Sequence, residues 1–175
     1  MQDNPPEERS ALPGADVLFQ FAIDRGDMHA ILAALPLDVP EKRVALEYEI
    51  QILRIIAVGW AVAFFLSESR LKDSLGQQYW EQIRSFSTTL STSASMSVGT
   101  DIDYFDILKM RLDYYVGALD AAGQVPDPAA VIGPAFAAAC GDESDARAIL
   151  AGSKMFAHTI RAVRQYLDDT VSRQI

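Results

Sequence analysis

The side chains best equipped for chemistry are few in this chain and lie far apart. There is one cysteine, Cys140, and there are two histidines, His29 and His158. A carboxylate-bridged metal bundle uses Glu-x-x-His pairs, because that spacing puts both ligands on one helical face. Neither histidine has a glutamate three residues before it. Structural zinc takes about four Cys or His ligands. No metal and no cofactor is expected; an all-carboxylate site is the one kind left open.

Nucleophiles fare no better. Cys140 follows three alanines and precedes Gly141, so it reads as a small buried thiol that packs as a hydrophobe. Ser69-Arg70-Leu71-Lys72 matches a Ser-x-x-Lys pattern, but the Ser-Asp-Asn and Lys-Thr-Gly companions of that chemistry are absent. Ser69 and Lys72 are read as surface residues. There is no Gly-x-Ser-x-Gly elbow, no Walker glycine loop and no Gly-x-Gly-x-x-Gly. His158 falls on the side of its helix that carries Lys154 and Arg161, which suits a solvated residue better than a base. An enzyme whose groups meet only in space ranks third among the functions considered.

Three features carry more information. Arg54 stands at the edge of the long apolar run IQILRIIAVGWAVAFFL. A buried charge is costly unless paired and hydrogen-bonded. The favoured reading takes Arg54 out to solvent beside Glu47 and Gln51; the alternative anchors it in a polar pocket, where it would hold a ligand carboxylate. The second feature is a set of aromatics with polar handles, Trp60, Tyr79, Trp80, Tyr104, Tyr114 and Tyr115, which suit interfaces or a wider core. Arg54, Trp60, Tyr79 and Tyr115 are the expected ligand-binding residues of a pocket between helices. The third is a charge contrast between Asp103, Asp106, Asp113 and Asp120 and the basic side around Lys154 and Arg161. These faces either meet within the fold or set the register of an oligomer.

The elements that must position these residues are helices. The chain has 175 residues, half of them (50%) hydrophobic, enough for one domain with a core of its own. Residues 1–14 read as a disordered polar tail, and 15–175 as a single domain. VLFQFAI at 17–23 suits strand or helix; helix is favoured, because no other segment offers a strand partner. Asp27 then caps a short helix to Leu35. Asp38, Pro40 and Glu41 open a helix that runs to about Leu66. Its second half, Ile55 to Leu66, is apolar all round, so other helices must surround it.

Leu71, Leu75, Tyr79, Ile83, Phe86 and Leu90 mark one apolar stripe over 68–92. STSASMSVGT at 91–100 reads as a loop. Thr100 opens the next helix, with Phe105, Leu108, Leu112, Tyr115, Val116 and Leu119 inside and Gly123 past its end. Asp127-Pro128 starts a further piece that Gly133-Pro134 must bend or divide. The last helix spans about Glu143 to Val171. The fold expected is all-α: an up-and-down antiparallel helical bundle of four long helices plus shorter helical pieces.

The net charge of −9 disfavours phosphate backbones and anionic membrane surfaces. The run at 50–66 is shorter than the ~20 apolar residues of a spanning helix and contains Arg54, so no membrane span is expected. The acidic, proline-containing N-terminus and the single cysteine point to the cytoplasm. The leading expectation is a non-enzymatic bundle acting through protein–protein interaction as a homodimer or with another protein. Ala57, Gly59, Ala61 and Ala63 would let a second helix backbone approach. The alternative is a small-molecule-binding bundle with an apolar pocket for an apolar or carboxylate ligand.

Overall fold

Helix boundaries in this chain follow local hydrogen-bond chemistry. The structure, a computed structural model, describes residues 13–35, 40–99, 101–124 and 126–172. Among them are seven helices and no strand: α1 (Pro13–Ile23), α2 (Gly26–Ala33), α3 (Pro40–Phe65), α4 (Leu71–Val98), α5 (Tyr104–Ala122), α6 (Pro128–Ala139) and α7 (Ala146–Ser172). Helix starts leave backbone donors unsatisfied, and aspartates meet that need. Asp103 accepts from Phe105 and Asp106 at the head of α5, and Asp127 from Ala129 before Pro128. Asp145 accepts from Arg147 and Ala148 before α7. Gly99, at φ 69°, closes α4 in the left-handed conformation that lacks a Cβ penalty.

The fold is the expected all-α bundle. The four long helices are α3, α4, α5 and α7, and successive helices alternate in direction. α6 adds one more reversal before α7, so α3 and α7 run parallel. Lys42 pairs with Asp145 at their starts, Trp60 meets Phe156 midway, and Arg164 covers Phe65 at the far end. α3 is the hub and touches all six other helices. Every residue from Ile52 to Gly59 is buried, because the segment has neighbours all round. The enclosure ends at Ala63 and Phe64, which emerge at the last turn.

The 17–23 segment is helical. Its exposed positions include Val17 and Gln20, while Ala15, Leu18 and Ala22 are buried at helical spacing. Pro13 and Gly14 belong to α1, two residues earlier than expected; the rest of the polar tail, Asp38 and Thr100 lie outside the described residues. The serine-rich stretch is not a loop: α4 continues through it to Val98. Its hydroxyls fold back onto the helix, with Ser91 donating to the Ser87 carbonyl, Thr92 to Thr88 and Ser93 to Thr89. This satisfies polar groups that would otherwise compete with the helix. Gly133-Pro134 does not divide α6. Pro134 and Ala130 are both exposed, so water can solvate the carbonyl that Pro134 leaves without a donor. Val116, expected inside, is exposed, since α5 buries the narrower stripe of Leu108 and Tyr115.

The small residues of α3 are used within the chain. Ala57, Gly59 and Ala61 are buried, and a Cβ on Gly59 would strike the Trp80 indole. A second close approach joins α6 to α7, where a Cβ on Gly152 would lie 2.6 Å from Phe136. The acidic and basic faces do not meet: α5 packs on α3, α4 and α6, whereas α7 packs on α2, α3 and α6.

Candidate functional site

Two ionic residues are buried on α3, and each reaches a different neighbour. Glu49 accepts both donors of the Arg111 fork on α5, at 2.9 Å (Nε) and 2.6 Å (Nη2). Bidentate geometry of this kind is the strongest carboxylate recognition a side chain offers. The Glu49 hydrogen bonds hold the Arg111 guanidinium above its ordinary pKa.

Arg54 is buried as well, with a side chain 1% exposed. This corrects the favoured expectation of a solvated head. Glu47 is taken instead by Arg43, and Gln51 donates to the Ala22 carbonyl at the end of α1. Arg54 lies over the Phe21 ring at 4.3 Å, a cation–π contact. Its Nη2 donates to Asp27 Oδ2 at 3.0 Å, and the same oxygen meets His158 Nε2 at 3.2 Å. Asp27 was expected to cap α2; it lies in the first turn and bridges α3 and α7 instead. Arg54 Nε and Nη1 are buried without a partner.

The other expected ligand residues are dispersed. Tyr79 lies near Arg54 but is committed: its buried hydroxyl donates to the Ile55 carbonyl at 2.7 Å. Burial raises its pKa well above the ordinary tyrosine range. Tyr115 sits beside Glu49, its buried hydroxyl without a partner and its pKa raised by burial first and by the Glu49 charge second. Trp60 is half-buried, stacked on Phe64 at 4.7 Å. Among the described residues, Arg54, Trp60, Tyr79 and Tyr115 are thus engaged in separate contacts. Trp80 turns inward and covers Gly59, whereas Tyr114 stays 42% exposed and donates to the Ala135 carbonyl. His29 is exposed. Ser69 accepts from the Leu71 amide at the head of α4. Among the described residues no group of three or more His, Cys, Asp or Glu gathers as metal ligands.

A groove of about 290 Å³ opens between α3, α4 and α5. Ile52 and Ile55 form its floor, and Phe86, Leu90 and Leu108 its walls. Tyr48, Tyr104, Gln51, Arg25 and Glu47 belong to its polar lining, and the Glu47 carboxylate is paired with Arg43. Burial, then the Glu49 charge, raises the Tyr48 pKa, so that hydroxyl remains a neutral donor at ordinary pH. Arg25 is exposed and makes no ion pair among the described residues. Sequence reasoning missed this groove, because its residues come from four segments and each reads locally as ordinary helix. It also missed Glu49, which stands one residue before the apolar run it had marked. The signal for Glu49 was available: it is an acidic residue between Leu46 and Ile50, on the same side of the helix as both.

No protein-family model matches the chain, and no curated protein or solved structure matches it. Fold and site together define an all-α bundle with an apolar groove on one side of α3 and an under-partnered buried arginine on the other.

Proposed function

We propose that this chain is a non-catalytic binding protein for a small amphipathic molecule with an apolar body and an acidic head, held in the groove between α3, α4 and α5. The observation that carries this reading is the groove's composition. Binding sites for small molecules are concave and mostly apolar, with a few polar groups that fix orientation. Here the apolar body lies over Ile52 and Ile55, and Arg25 at the edge supplies the charge for the head. A cytoplasmic location accompanies this reading, supported by the single cysteine.

Titration calorimetry with octanoate and with octanol tests it. Octanoate should bind saturably, one per chain, and more tightly than octanol. Arg25→Ala should remove that preference. Leu90→Trp, at a position 40% exposed, should block binding while circular dichroism stays unchanged. Saturable octanoate binding that Leu90→Trp leaves intact would place the ligand elsewhere.

Self-association is the second reading, supported by exposed apolar side chains beside the same groove: Val44 at 67%, Tyr48 at 39% and Leu90 at 40%. A second copy would cover this strip. Light scattering at high concentration separates the two readings, since a monomer that binds octanoate supports the first alone.

A further inference from the structure

A separate cleft of about 400 Å³ lies between α2 and α7. One wall is Asp27, Ala30 and Ile31; the other is a stripe of α7 carrying Lys154, His158 and Arg161. Steps of four and three residues place those last side chains on one helical face. Lys154 and Arg161 make no ion pair among the described residues.

A cationic helix face is ordinarily a solvated surface, and two observations set this one apart. First, it faces a wall that includes Ala30 and Ile31, so the charges border a concave, partly apolar space. Second, the one carboxylate lining the cleft, Asp27, is neutralised from behind by buried Arg54 at 3.0 Å. Arg54 Nε and Nη1 are buried without a hydrogen-bond partner. Three permanent cations, Arg54, Lys154 and Arg161, thus stand against one carboxylate, with His158 between them. In a chain of net charge −9, that is a local reversal of sign.

We propose that the α2–α7 cleft is an anion-binding site that takes a phosphate monoester with a small apolar substituent. A tetrahedral dianion accepts from several directions at once, which suits an ammonium, an imidazolium and a guanidinium that approach from separate turns. The substituent lies on Ala30 and Ile31. Asp27 orients the His158 ring by accepting from Nε2, and the imidazolium form presents Nδ1–H to the ligand. This site is distinct from the groove between α3, α4 and α5, and neither depends on the other.

The test follows the His158 ring by NMR in the full chain, in a phosphate-free buffer at matched ionic strength. His29 is the one other histidine, so His158→Gln assigns the signal. The probes are phenyl phosphate, inorganic phosphate, sodium chloride and phosphatidylcholine vesicles containing phosphatidic acid. Phenyl phosphate should shift the ring saturably and bind more tightly than inorganic phosphate. The double variant Lys154→Ala, Arg161→Ala, altered at exposed positions only, should weaken binding at least about ten-fold with unchanged circular dichroism. Saturable vesicle binding that the double variant abolishes supports the site with a lipid headgroup as the source. Linear shifts that sodium chloride reproduces would overturn the proposal, and so would a double variant that binds phenyl phosphate like the parent.

Discussion

Glu49 and Arg54 lie five residues apart on α3, both buried, yet they are opposites in how they are satisfied. Glu49 is met by both arms of Arg111, while its neighbour Tyr115 has a buried hydroxyl with no partner. Arg54 has one hydrogen bond to Asp27 and two unpartnered nitrogens, while its neighbour Tyr79 is fully bonded. A buried pair with complete geometry ties two helices in one register. A buried charge left short of partners is a cost that packing alone does not explain. The contrast teaches that the α5 side of the hub is built for structure, and that the α2 side keeps bonding capacity in reserve beside an open cleft.

The largest expected effect tests the structural side. Arg111→Met leaves Glu49, with a side chain 6% exposed, as an uncompensated buried charge. It should cost about 3–5 kcal/mol in urea unfolding. Tyr79→Phe comes next: it removes a buried hydrogen bond and should cost about 1 kcal/mol. Arg54→Met should change stability by less than about 1 kcal/mol, because the orphaned nitrogens leave with the charge and Asp27, 40% exposed, stays solvated. If Arg54→Met proved as damaging as Arg111→Met, the asymmetry between the two sides would be gone. Tyr115→Phe should be neutral or slightly stabilising, since the hydroxyl it removes has no partner.

A pH dependence is expected on the Glu49 side as well. Burial, then the Glu49 charge, pushes the Cys140 thiol up to about 12 from an ordinary 9.0. The folded state therefore holds this proton more tightly than the unfolded chain does. That contribution is complete below pH 9.0 and is lost as pH rises toward about 12. Urea midpoints should fall between pH 8 and about pH 10.5, and fall less in Cys140→Ala. Tyr79 and Tyr115, both raised by burial, act in the same direction at still higher pH. Glu49→Gln should bring the thiol down, as measured by its rate of alkylation.

Much of the fold was legible because its signals are local. Periodic apolar residues, Asp127-Pro128 and the enclosed run after Ile50 each act within a few turns of chain. The serine-rich end of α4 was misread for a reason that is also local. Hydroxyls weaken a helix in isolation, but here they bond to carbonyls four residues back while Ser91 also receives the Tyr104 amide. Ile52, Leu90 and Leu108 read correctly as helical apolar residues, and nothing in their own segments says that they bound an empty space.

By itself, then, the sequence determined most helix positions, the caps at Asp127 and Gly123 and the identity of the central helix, since propensity, capping and amphipathic period operate over short stretches. Only tertiary structure decided which partner each buried charge received. Asp27 and Arg54 are 27 residues apart and Glu49 and Arg111 are 62. Their pairing depends on how α2, α3 and α5 pack, and no short-range pattern encodes that distance. The same packing decided that Gly59 of α3 faces this chain's own Trp80, and that the groove and the cleft described above lie on different sides of α3, the α5 side and the α2 side.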